Sequence, residues 1–203
     1  ATLGISALIS TDIYSGAQIS WSMPWIPTLG TNISLLADGM AAMLCLLTGI
    51  VMTVVFITNS NKEVENRGAY YGLMLLSQAG ITGVFLASDA LLFYFFWELA
   101  LIPVYFLCSQ WGGEKRIAVT FKFFIYTFVG SLMLLAGIIY LAMQSPGANA
   151  FAWNNIIRAG SSLPADQQQW LFWLIFIAFA IKMPIFPFHT WQPDTYEQSP
   201  TPV

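Results

Sequence analysis

Five stretches of this sequence stay apolar for the length of a membrane crossing, and no other feature narrows the possible folds so far. A hydrocarbon core about 30 Å thick needs about 20 helical residues, because lipid offers no water to unpaired backbone groups. The segments run from about Leu35 to Thr58, from Ala69 to Ala87, from Asp89 to Ser109, from Val119 to Met143 and from about Trp170 to Phe188. Composition agrees: 57% of the 203 residues are hydrophobic and 8% charged, against about 25% charged in ordinary soluble domains. A net charge of -3 leaves no basic surface for a nucleic-acid backbone. No stretch has the strict alternation of a membrane strand, so the expectation is an all-α integral membrane chain of five transmembrane helices.

Polar breaks separate the segments: residues 59–68, a tight corner at Ser88, residues 111–116, and a long connection from Gln144 through Gln169. Lys62, Arg67, Lys115 and Arg116 gather on alternate connections, whereas the others carry only Arg158. Cations are held on the cytoplasmic side during insertion, so the first, third and fifth helices are expected to run from outside to inside. Residues 1–34 then form an external or interfacial segment, irregular in backbone, with Trp21 and Trp25 at the headgroups. Residues 35–203 form the transmembrane domain. The sequence starts without Met and stops at Val203 within a Pro-rich phrase, so both ends are expected to be truncated.

Glu98 and Lys182 stand out among the charges. Glu98 lies nine residues after Asp89, about 14 Å into its helix, and Lys182 lies about 18 Å past Trp170. Two parallel helices would bring them to a similar depth, where they are expected to be ion-paired or joined by water. Pro184 and Pro187 break the fifth helix just beyond Lys182, freeing the carbonyls of Ala180 and Met183; a broken helix at mid-membrane is tolerated where a wet cavity exists. An intramembrane ionisable residue is a functional candidate by default. At an effective dielectric of 20, charges 4 Å apart attract by about 4 kcal/mol, and a membrane potential opposes charge movement by about 2.3 kcal/mol per 100 mV. Protonating or displacing Glu98 could therefore turn Lys182 from proton holder to proton donor.

The remaining polar residues carry less. Lys122, close to Arg116, could extend to the cytoplasmic surface or serve proton uptake. His189 has no metal-ligand partners at suitable spacing, and reads either as a relay or as a structural hydrogen bond. Asp38 and Asp89 are expected to cap helices. Cys45 and Cys108, 63 positions apart, read as core residues. With no Gly-rich nucleotide loop, no Cys cluster and no bis-His spacing, no metal or cofactor site is expected in this chain.

Four phrases taken together resemble a known family. Phe95 through Leu107, Trp111-Gly112-Gly113-Glu114-Lys115-Arg116, Phe121 through Thr127, and Lys182 through Asp194 are similar to chain M of proton-pumping NADH:quinone oxidoreductase, respiratory complex I, the counterpart of mitochondrial chain 4. That resemblance implies an antiporter-like bundle in which Glu98 and Lys182 form the proton site, with Lys122 and His189 as possible relays. It implies membrane-arm subunits and the lipid bilayer as partners, and NAD, FMN, iron-sulfur clusters and quinone in those partner subunits. It also implies an exit half of the proton path beyond Val203, while the Lys and Arg asymmetry fits a bacterial inner (plasma) membrane. Where the family continues Trp-Leu-Pro-Asp-Ala-His, this sequence reads Trp191-Gln192-Pro193-Asp194-Thr195-Tyr196, so a second His is absent. The large subunit of a multi-subunit sodium/proton antiporter shares the Glu and Lys logic and is the alternative.

Overall fold

The computed structural model describes residues 2–14, 18–61, 63–145 and 149–203; Lys62, one of the cations used for orientation, lies outside them. The order of elements is α1 (Thr2–Tyr14), β1 (Ile19–Ile26), β2 (Thr31–Ala37), α2 (Gly39–Asn59), α3 (Arg67–Leu86), α4 (Ala90–Trp111), α5 (Arg116–Gln144), α6 (Trp153–Ser162), α7 (Ala165–Lys182) and α8 (Gln192–Gln198). Four of these, α2 to α5, are long and apolar enough to cross a membrane. The fifth expected span corresponds to α7, which has 18 residues, starts further upstream at Ala165, and stops at Lys182.

The chain divides into two compact units, one formed by residues 1–27 and 31–103 and the other by residues 28–30 and 104–201. In the first, the described residues before α2 are not irregular. α1 lies along α2, with Leu3 close enough that a Cβ on Gly49 would sit 3.3 Å from its Cα. β1 and β2 form an antiparallel hairpin, with Ile19 opposite Ala37 and Ser22 opposite Ser34. Leu35, Leu36 and Ala37 belong to that hairpin, so α2 starts at Gly39 with Asp38 as its cap, accepting the Ala41 N–H at 2.8 Å. α3 and α4 touch closely. A Cβ on Gly80 would lie 2.5 Å from the Ala100 nitrogen, and one on Gly83 would meet the Phe96 ring.

The corner between α3 and α4 is tied to the hairpin. Ser88 N–H donates to the Ser34 carbonyl at 2.8 Å, and Asp89, only 1% exposed, takes four hydrogen bonds. Thr31 Oγ1 (3.0 Å), Leu91 N (2.9 Å) and Leu92 N (3.1 Å) donate to its Oδ1, and Asn32 N donates to its Oδ2 at 3.2 Å. In the second unit, glycines again set the contact: Gly130 and Gly137 of α5 face Ala178 and Ile175 of α7. The long connection read as a polar break contains α6, which turns Ile156 and Ala159 inward and keeps Arg158 exposed.

Candidate functional site

Glu98 stands in the first unit; Lys182, His189 and Lys122 stand in the second. Glu98 occupies the ninth position of the 22-residue α4, as far from the helix ends as the sequence implied. Helical geometry puts Phe96 and Ala100 on one face and Glu98 about 200° around from Phe96. Because α3 packs on the Phe96 and Ala100 side, and Ser77 Oγ donates to the Ala100 carbonyl at 3.3 Å, the carboxylate is set away from α3. Glu98 is half-buried, and its Oε1 is sealed from solvent with no hydrogen-bond partner among the described residues. Buried polar atoms are nearly always paired, and the exceptions mark strain, unseen water or function. Pro103, buried inside α4, has no N–H to give the Leu99 carbonyl; a freed acceptor thus adjoins the acid, a feature the sequence phrase contained but the proline argument at Pro184 did not reach.

Lys182 is half-buried and ends α7. The helix thus stops two residues before Pro184 rather than at it. The expected pair of free carbonyls needs correction too, because the Ala180 carbonyl accepts Ile185 N–H at 2.9 Å. The chain tightens after Lys182 so that Ile185 reaches back five residues instead of four, leaving the Ile181 carbonyl without its helical donor. The Trp191 indole fills that place, its Nε1–H donating to the Ile181 carbonyl at 3.0 Å. Trp191 itself is 6% exposed and lies against Phe123, ring centroids 5.1 Å apart.

His189 is half-buried in the turns between α7 and α8, its ring 5.6 Å from that of Phe186. Its Nδ1 is buried and has no hydrogen-bond partner among the described residues. Lys122 neither reaches freely into water nor stands alone: its Nζ donates to Asp194 Oδ2 and to the Thr190 carbonyl, both at 2.8 Å. Tyr126, one turn along α5, shares a hydrogen bond with Thr190 Oγ1 at 2.9 Å. Sequence reasoning missed Asp194 and Trp191 as partners, since both lie far along the chain from the groups they hold.

A cation-poor set of membrane-length helices with an acid in mid-span agrees with what comparison finds. The family described as NADH:quinone oxidoreductase/Mrp antiporter, transmembrane region, matches residues 87–203. Subunit M of the F(420)H(2) dehydrogenase of Methanosarcina mazei is 39% identical over 99% of this chain and 42% of its own. NADH-quinone oxidoreductase subunit M of Escherichia coli K12 is 38% identical over 91% of this chain and 37% of its own. Among solved structures, a chain of respiratory complex I from Thermus thermophilus with bound NADH superposes with a TM-score of 0.86 at 28% identity, covering 97% of this chain and 40% of that one. The chain therefore spans about two fifths of the length of these relatives. On these matches and its four membrane-length helices, it is a multi-pass membrane protein and belongs to the transmembrane family shared by NADH:quinone oxidoreductases and Mrp antiporters.

Proposed function

We propose that this chain belongs to the proton-translocating membrane subunit of an NADH:quinone oxidoreductase, and that Glu98 and Lys182 are its proton-transfer pair. The observation that carries the reading is the Glu98 carboxylate, placed in the middle of a membrane span with a sealed oxygen that no described protein group satisfies. A structural carboxylate in lipid would be expected to have its donors; one held ready for a proton needs an open position. Lys182 supplies the opposing charge beside a helix break, where backbone acceptors can line a hydrated route. His189, with its unpartnered Nδ1, stands along the same broken segment as a candidate relay, and Lys122 marks the end of that segment nearest α5.

Quinone reduction would take place in partner subunits holding NAD, FMN, iron-sulfur clusters and quinone, and would reach this chain through the membrane arm. The Lys and Arg asymmetry fits insertion into a bacterial inner (plasma) membrane. A second reading, exchange of sodium for protons, is favoured by the family description itself, which joins both kinds of complex. Proton uptake into sealed vesicles, measured with the complete subunit in its complex, separates them. Redox-driven translocation that needs NADH and quinone supports the first, and sodium-driven exchange without either supports the second. Within the first reading, Glu98→Gln should abolish translocation while the protein still inserts; ordinary pumping by that variant would remove Glu98 from the mechanism.

A further inference from the structure

We infer that residues 190–198 form a strap that positions Lys182, with Trp191 as the residue that sets it; the inference rests on the proton-transfer role proposed for Lys182. The Ile181 carbonyl and the Lys182 N–H belong to one planar peptide group. Whatever fixes that carbonyl also fixes the plane from which the Lys182 side chain departs. In an uninterrupted helix the Ile185 N–H would do this, but Ile185 donates to Ala180. The Ile181 carbonyl accepts instead from the Trp191 indole.

A tryptophan in a turn fixes nothing unless it is itself held, and α5 holds it from consecutive turns. Phe123 packs against the indole. Lys122 binds the carbonyl of Thr190, the residue before Trp191, and the carboxylate of Asp194 after it. Tyr126 binds the Thr190 hydroxyl. Beyond Trp191, Thr195 Oγ1 donates back to the Trp191 carbonyl at 2.6 Å. The far end of the strap is fastened as well: Gly113 N–H donates to the Gln198 carbonyl at 2.8 Å, and Lys115 N–H to Gln198 Oε1 at 3.0 Å. α8 is thus tied to α5 at its start and to the turn before α5 at its end, and the segment so held carries the indole that binds the peptide preceding Lys182. Trp191, Lys122, Tyr126 and Asp194 are positioning residues in this arrangement.

The test uses the complete subunit in its assembled complex, reconstituted in vesicles, with two measurements per assembled complex. The first is protons translocated per quinone reduced in Trp191→Phe and Asp194→Asn. The second is the mobility of a nitroxide attached through Lys182→Cys, compared with one attached through Trp173→Cys at an exposed site on the same helix. Loss of the strap should lower the proton ratio at least twofold in both variants, and should shorten the correlation time at position 182 at least twofold while leaving position 173 unchanged. Trp191→Phe keeps an aromatic ring against Phe123 and removes only the N–H; Asp194→Asn is a surface change that folds even if the tryptophan variant does not. An unchanged ratio in both variants, an unchanged label at 182, or an equal change at 173 overturns the strap. Lys182→Met that pumps normally would instead overturn the proton-transfer reading on which it rests.

Discussion

Two carboxylates in this chain are withdrawn from water, and their surroundings separate a structural acid from a chemical one. Asp89 is 1% exposed and takes hydrogen bonds from Thr31, Asn32, Leu91 and Leu92, so its burial is matched by donors and its role is to cap α4 and tether the hairpin. Glu98 has an oxygen with no such donor. Removing the first should therefore cost stability, and removing the second should cost function. Asp89→Ala strips two capping bonds and leaves the buried Thr31 hydroxyl unpaired, which amounts to about 2–4 kcal/mol; thermal unfolding in detergent should show a clearly lowered midpoint, with Asp89→Asn falling between. Glu98→Leu should leave that midpoint unchanged or raise it, because an unsatisfied polar atom is replaced by an apolar one. A midpoint that drops as far as in Asp89→Ala would mean Glu98 holds the fold.

Helix contacts in both units are set by small residues, which is how spans approach when lipid gives no hydrophobic drive between them. Gly80 faces backbone, so Gly80→Ala has no flexible neighbour to displace and should cost about 1–3 kcal/mol. Gly72, with nothing within 4 Å, is the control: Gly72→Ala should stabilise α3 by up to about 1 kcal/mol. Equal midpoints for the two variants would show that α3 and α4 do not pack as described. Element by element, what the sequence revealed followed from local rules. Apolar length placed four spans, and the aspartates placed the starts of α2 and α4. What stayed hidden depended on distant partners. The hairpin was hard to read because the alternation of β1, Ile19-Ser20-Trp21-Ser22-Met23, is short and ends at Pro24, while β2 loses it at Leu35-Leu36-Ala37 and runs on into the apolar stretch of α2. α1 reads as a short apolar run too brief to span, and its place beside α2 depends on Gly49. The proline rule located the break after Lys182 within two residues, yet could not tell that Ile185 and Trp191 would take up the Ala180 and Ile181 carbonyls.

At the scale of the molecule, topology is the property most open to direct test. The cation asymmetry predicts that Glu65→Cys and Glu114→Cys are labelled by an impermeant maleimide from the cytoplasmic side, and Ser161→Cys from the outside; all three positions are exposed, while the native Cys45 and Cys108 are buried. Labelling of positions 65 and 114 from opposite sides would refute the assignment. The turn that carries Glu114 has one more property worth following. A Cβ on Gly112 would lie 2.7 Å from the Gln198 carbonyl and would also strike the Cys108 carbonyl, and one on Gly113 would lie 2.5 Å from Gln198 Oε1. Glu114 and Lys115, immediately downstream, project into solvent. Gly112 meets backbone that cannot yield, whereas Gly113 meets only the end of a flexible side chain, so a library randomised over positions 112–115 should return glycine alone at the first site, small residues at the second and a broad spectrum at the others.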